Sequence, residues 1–129
     1  MTLAEEKYIA LTTYKKDGSP KSVPVWPVDA GDGRVGFITS SQTWKVKRIV
    51  NNPRVELQPS DSRGRVKENT EPISGTAEVA AGARFDALNA KVKTKYGLQL
   101  KIINFIHALP GSRTGHRNDR AVIVTLDDR

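Results

Sequence analysis

Apolar positions along this chain mostly alternate, and in only a few stretches do they take a helical rhythm. YIALTTY (residues 8–14) is rich in β-branched and aromatic side chains and reads as a strand. KKDGSP (15–20) follows as a turn, with Asp17-Gly18 as its hairpin signal. KSVPVWPVDA (21–30) reads as a second strand. Pro24 and Pro27 each remove a backbone donor from it, which places it at a sheet edge or on a bulge. GDG (31–33) turns into a third strand, RVGFITS (34–40). The period then changes: Trp44, Val46, Ile49 and Val50 fall at helical spacing, Thr43 stands at the N-cap position, and Pro53 closes the helix behind Asn51-Asn52. RVELQPS (54–60) returns to alternation, DSRGRVKENTEP (61–72) is a polar loop, and ISGTAEVA (73–80) is a strand. ARFDALNAKVKTKY (83–96) is helical and stopped by Gly97. LQLKIINFIHAL (98–109) is apolar and fits either a second short helix or a strand. PGSRTGHRND (110–119) is a basic, turn-rich loop, and RAVIVTLDD (120–128) is the last strand.

The order is therefore β-β-β-α-β-β-α-(α)-β. Strands dominate and hairpin-length connections join them, so the expected class is mainly β: an antiparallel sheet closed into a small β-barrel, with flanking helices outside. The alternating βαβ units of a parallel doubly wound sheet are missing. At 129 residues, with no linker, repeat or low-complexity tract, residues 1–129 read as a single domain.

Composition narrows the chemistry. The chain has no Cys, which excludes disulfides, thiolate nucleophiles and Cys-bound zinc. His107 and His116 are its only histidines, too few for a histidine-based metal site, so no metal is expected. No apolar run is long enough to span a bilayer. The start, MTLAEEKY, is acidic where a secretory signal is basic and then apolar, so a cytoplasmic protein is expected. The net charge of +7 is uneven. Residues 41–67 hold seven Lys or Arg against two acids, and residues 91–120 hold seven against one. Such segments suit an anionic partner: nucleic acid, anionic lipid, or a small molecule with phosphate and carboxylate groups. Aromatics are sparse and not interleaved with the basic runs, so nucleic acid is not the expected partner.

The most suggestive stretch is FITSSQTWKVKRIV (37–50). A strand that ends in hydroxyls and runs into a helix puts free N–H groups and hydroxyls at a helix N-terminus, with Lys45 in the first turn able to swing toward the same point. That is a coherent phosphate seat, and it is equally an N-capped amphipathic helix with solvated lysines. Trp26, beside Pro24 and Val25, suits stacking on a planar ring or filling the core. QPSDSRG (58–64) is either a ligand rim or a plain loop. No Ser/His/Asp or Cys/His set, no GxGxxG and no GxxxxGK[ST] occurs, and Asp61, Glu68 and Glu71 read as solvated carboxylates. No catalytic residue can be named. An enzyme built on this chain would draw its reactivity from a cofactor.

In order along the chain, YIALTTYKKDGSPKSVPVW, FITSSQTWKVKRIVNNPRVELQPSDSRG and ISGTAEV resemble the split-barrel flavin and deazaflavin superfamily around pyridoxamine 5′-phosphate oxidase. The nearest likeness is to its actinobacterial branch of deazaflavin (coenzyme F420)-dependent oxidoreductases. KYGLQLKIINF and RAVIVTL fit that branch too, so nearly the whole chain is covered. The resemblance implies a homodimeric split β-barrel of the FMN/F420-binding type, with the cofactor in a groove at the subunit interface. It implies a reductase that passes hydride from reduced F420 to a small organic acceptor, with FMN as the alternative cofactor; a rival of a different class, outside the resemblance, is a non-catalytic cofactor- or anion-binding module.

The same resemblance assigns site residues. Pro24, Val25 and Trp26 match the strand whose backbone faces the isoalloxazine-type ring. Ile38 and Thr39 end the next strand, where the Thr39 hydroxyl matches a contact to the phosphate or ribityl region. Lys45 matches the phosphate-binding lysine. Trp44 stands where many relatives carry Arg or Leu. Thr43 stands where some carry a second basic residue, whose charge Lys47 or Arg48 would supply here. Gln58, Pro59 and Ser60 match the strand end that borders the cofactor from the other side. The oxidase's Tyr/Arg/Ser set for pyridoxal phosphate has no counterpart, so that chemistry is not expected. The basic residues of 63–67 and 113–120 suit the polyglutamate tail of F420.

Overall fold

A computed structural model of the chain describes residues 3–107 and 118–127, without the side chains of 98–107. Its seven strands are β1 (Ile9–Tyr14), β2 (Pro20–Val25), β3 (Val28–Gly31), β4 (Arg34–Thr39), β5 (Arg54–Pro59), β6 (Ile73–Ala80) and β7 (Arg120–Leu126). They form one sheet in the order β2-β1-β5-β6-β7-β4-β3, with every neighbouring pair antiparallel. Helix α1 is Trp44–Asn51 and α2 is Ala83–His107.

Residues 21–30 do not form one strand. They form two, and these lie at opposite edges of the sheet, joined only through Trp26 and Pro27. That connection dictates curvature. Seven flat strands would hold their outer members six spacings apart, roughly 29 Å. From Val25 to Val28 the chain can span at most ~11 Å. The sheet must therefore curl until β2 and β3 face each other across an unpaired seam. The prolines supply the local reason: β2 keeps Pro20 and Pro24 at an edge, where missing donors are tolerated, and Pro27 stands at the break itself.

Curling separates two cores. Ile9, Leu11, Phe37, Leu57, Val122 and Val124 fill the inside of the curl, joined by Ile49 from α1. On the outside, α2 lies over β3, β4 and β7 and buries Leu88, Val92 and Tyr96 against Val28, Ala121 and Ile123. With both faces of β7 covered, its central run Ala121–Val124 is continuously buried. Gly36 permits the close approach of the helix: a Cβ there would lie 2.6 Å from Leu88 Cδ2.

Helix α2 runs past Gly97, the expected stop. The irregular residue is Tyr96, with φ −114° and ψ 19°, so two helices meet there at a kink. Residues 98–107 are helical rather than extended, and 108–109 lie outside the described residues, as does most of the basic loop 110–119.

Candidate functional site

The ends of β2 and β4, the start of α1 and one face of α2 enclose a cavity of about 490 Å³. Six of the expected site residues line it: Pro24, Val25 and Trp26 from the seam, Ile38 and Thr39 from the end of β4, and Lys45 from α1. The volume lies within the roughly 300–1,000 Å³ usual for small-molecule sites.

Lys45 is the unusual group. Its side chain is half-buried, and burial, with the Arg48 guanidinium as a second cause, pushes its ammonium below the ordinary lysine value. Among the described residues it forms no hydrogen bond or ion pair. Thr39 is buried, and its Oγ1 lies 3.3 Å from Thr43 Oγ1, long for an O–H···O bond, so its hydroxyl is only lightly engaged. Thr43 stands at the N-cap, but its hydroxyl donates to the Ser40 carbonyl at 2.9 Å and leaves the first turn of α1 without a side-chain cap.

The turn before α1 is partly filled from within. Asp119 accepts from the Ser41 N–H at 2.7 Å and from the Ser41 hydroxyl at 3.0 Å. The Ser41 N–H, foremost, holds the Asp119 carboxyl below its ordinary value. An anion at this end of the molecule is therefore directed to the Thr39 and Lys45 side, away from Ser41.

The wall holding Trp26 is fixed by the kink of α2. The Trp26 and Tyr96 rings stack with centroids 4.5 Å apart and planes 9° apart. The Tyr96 hydroxyl lies 2.9 Å from the Lys7 carbonyl and 3.0 Å from that of Pro27. Lys95 Nζ donates to the carbonyls of Ala4, Glu6 and Pro27, at 2.7, 2.6 and 2.6 Å. Trp26 thus does both things its sequence position allowed: it packs on Tyr96 and lines the cavity.

The remaining expected residues are not gathered here. Trp44 is 68% exposed, with Lys47 Nζ 4.6 Å from its ring centroid, and neither lines the cavity. Gln58 donates through its amide to the Thr70 carbonyl and hydroxyl at 3.0 and 3.1 Å. Ser60 is buried and donates to the Asp61 carbonyl at 3.1 Å. Pro59 lines a separate, wider cavity of about 1270 Å³ whose rim includes Glu6, Asp29, Asp32, Glu71 and Asp127 beside Arg34. Charge separates the two cavities: the wider one is acidic, the smaller one basic. In the 61–72 loop, Arg65 pairs with Asp61 and Lys67 with Glu6, each at 2.8 Å, so two of the cations suited to an anionic tail are already engaged. Of the tail residues expected in 113–120, Arg120 lies 3.4 Å from the Asp119 carboxylate, and 113–117 lie outside the described residues.

Four lining residues were missing from the sequence reading: Asn89, Val92 and Lys93 on α2, and Asn118 just before β7. The spacing of Asn89 and Lys93, four apart on an expected helix, was a usable signal for a shared face. Nothing local told which wall that face meets.

The family described as pyridoxamine 5′-phosphate oxidase matches residues 2–125, nearly the entire chain. The chain belongs to that family. Solved structures share the fold of this pyridoxamine 5′-phosphate oxidase-like chain at low identity. The heme storage protein HutZ of Vibrio cholerae is 15% identical with a TM-score of 0.66, over 98% of this chain and 86% of that one. A structure titled F420 reductase is 19% identical with a TM-score of 0.58, over 98% and 91%. An FMN-binding, pyridoxamine 5′-phosphate oxidase-related protein of Nostoc punctiforme is 15% identical with a TM-score of 0.57, over 93% and 71%. Among curated protein sequences none matches.

Proposed function

We propose that this family member is an oxidoreductase that holds reduced F420 in the 490 Å³ cavity and lets it reduce an organic acceptor. One observation carries the reading: Lys45, half-buried and without a partner among the described residues, faces a cavity that also contains Thr39 and Trp26. A partly buried ammonium costs free energy unless an anion meets it, and a phosphate beside Lys45 and the uncapped first turn of α1 supplies that anion. Trp26 offers an apolar wall to a planar ring. The structural likeness to an F420 reductase supports the reading, and the likeness to an FMN-binding protein keeps FMN as the alternative.

A bound deazaflavin supplies the hydride, and the accompanying proton comes from solvent. The chain's own part is to bind and orient: Lys45 and Thr39 take the phosphate end, and the Trp26 wall fixes the ring. A second copy of the chain completing the groove belongs to the same proposal, and sedimentation showing a monomer at micromolar concentration contradicts it.

The test is a pair of fluorescence titrations, with F420 and with FMN. F420 binds more tightly than FMN, and Lys45→Ala weakens it about 10- to 100-fold, the span of one charge-assisted hydrogen bond. Tight FMN binding without F420 binding replaces the cofactor assignment. An unchanged affinity in Lys45→Ala removes the phosphate assignment.

A further inference from the structure

The cavity lining contains two lysines and no carboxylate. Lys45 accounts for one anionic group, and the second cation, Lys93, enters from the opposite wall. Its neighbours on α2 are engaged elsewhere: Lys91 Nζ donates to the Asp29 carbonyl at 2.7 Å, and Lys95 donates to three carbonyls. Lys93 has no such partner among the described residues. Asn89 lies one turn before it on the same helix face, and the buried Val92 stands between them as floor. Asn118 brings a second carboxamide. It is held in place by the next residue, whose N–H donates to the Thr39 carbonyl at 3.0 Å and whose carboxylate grips Ser41.

We infer that Asn89, Lys93 and Asn118 form an oxyanion-binding subsite for the acceptor, which is a flat, unsaturated molecule bearing a carboxylate. This deepens the proposed function and rests on it: with the phosphate end of the cofactor at Lys45, the α2 wall faces the remaining space. An ammonium and two carboxamides lining one cavity offer several donors, which suits a carboxylate far better than a neutral edge. The apolar part of the acceptor lies on Val92, beside the ring that the Trp26 wall holds.

The test uses 4-nitrobenzoate and nitrobenzene, a pair that differs by one carboxylate. Both quench indole fluorescence, and in a Trp44→Phe background Trp26 is the only indole. At low salt the cofactor-free protein binds 4-nitrobenzoate about tenfold more tightly than nitrobenzene. The preference survives Lys45→Ala, disappears in Lys93→Gln and returns in Lys93→Arg, while nitrobenzene binds all variants alike. Equal binding of the two probes overturns the inference, as does a preference lost in Lys45→Ala and kept in Lys93→Gln. So does a Lys93→Gln protein whose F420 affinity drops while its probe preference persists, because Lys93 then serves the cofactor. Failure of both F420 and FMN to bind sinks the oxidoreductase reading instead, and it is distinguishable because the probe preference is read without cofactor.

Discussion

The region around Lys45 and the region around Lys95 each draw an ammonium part-way out of water, and burial pushes both below the ordinary lysine value. They differ in what meets the charge. Three backbone carbonyls from two segments converge on Lys95, while among the described residues Lys45 meets none. The first arrangement is complete as it stands and ties the N-terminal segment and the Trp26–Pro27 link to α2. The second lacks such acceptors among the described residues, and in the proposed function a cofactor phosphate takes their place. Lys95, the more exposed of the two, thus serves structure, while the more deeply set Lys45 is the one proposed to meet a ligand, and the supply of acceptors separates them.

The comparison can be broken by substitution. Tyr96→Ala has the largest expected effect, because it removes a fully buried ring, its stack on Trp26 and a donor near the Pro27 carbonyl. It costs about 3–5 kcal/mol and lowers the melting temperature by about 10 °C or more in calorimetry. Next comes the lysine pair. Lys95→Met leaves three carbonyls without their shared donor and costs about 1–2 kcal/mol, a figure reduced for the solvent that reaches its side chain. Lys45→Met removes a charge that has no partner among the described residues and stabilises the cofactor-free protein by about 0.5 kcal/mol. Equal losses in both variants, measured by urea unfolding, would erase the distinction.

The smallest effect is in proton linkage. The depressed value of Lys45 means that the unfolded chain binds more protons than the folded one between that value and the ordinary lysine value. Stability therefore rises with pH across this alkaline window. Lys95 adds a slope of the same sign, so the informative quantity is the difference between wild type and Lys45→Met. A phosphate at Lys45 restores its value, and binding in the same window takes up a fraction of a proton. Calorimetric titration in buffers of different ionisation enthalpy reads that uptake, and Lys45→Met abolishes it.

Much of the fold was legible. Alternation located the strands, and the change of period at Trp44 located α1. The prolines of 21–30 signalled an edge. They could not signal that the chain changes edges at Trp26, because that follows from closure of the whole sheet. The Thr39 and Lys45 side of the cavity was legible because strand end, turn and helix start are contiguous in sequence. The opposite wall was not. Asn89, Lys93 and Asn118 reach it only through the packing of α2 on β3, β4 and β7, and Lys95 looks in sequence like any solvated lysine on a basic helix.

The open seam has a consequence for association between chains. An unpaired strand edge is a template on which other chains can add a strand. In β2, Pro20 and Pro24 share parity with Ser22, the positions whose N–H directions point away from β1, so only Ser22 has a hydrogen to offer there. On the other side, β3 is four residues long and its register shifts between Asp29 and Gly31. Both lips of the seam are therefore poor nuclei for cross-β growth, and the barrel can stay open along one side without becoming sticky.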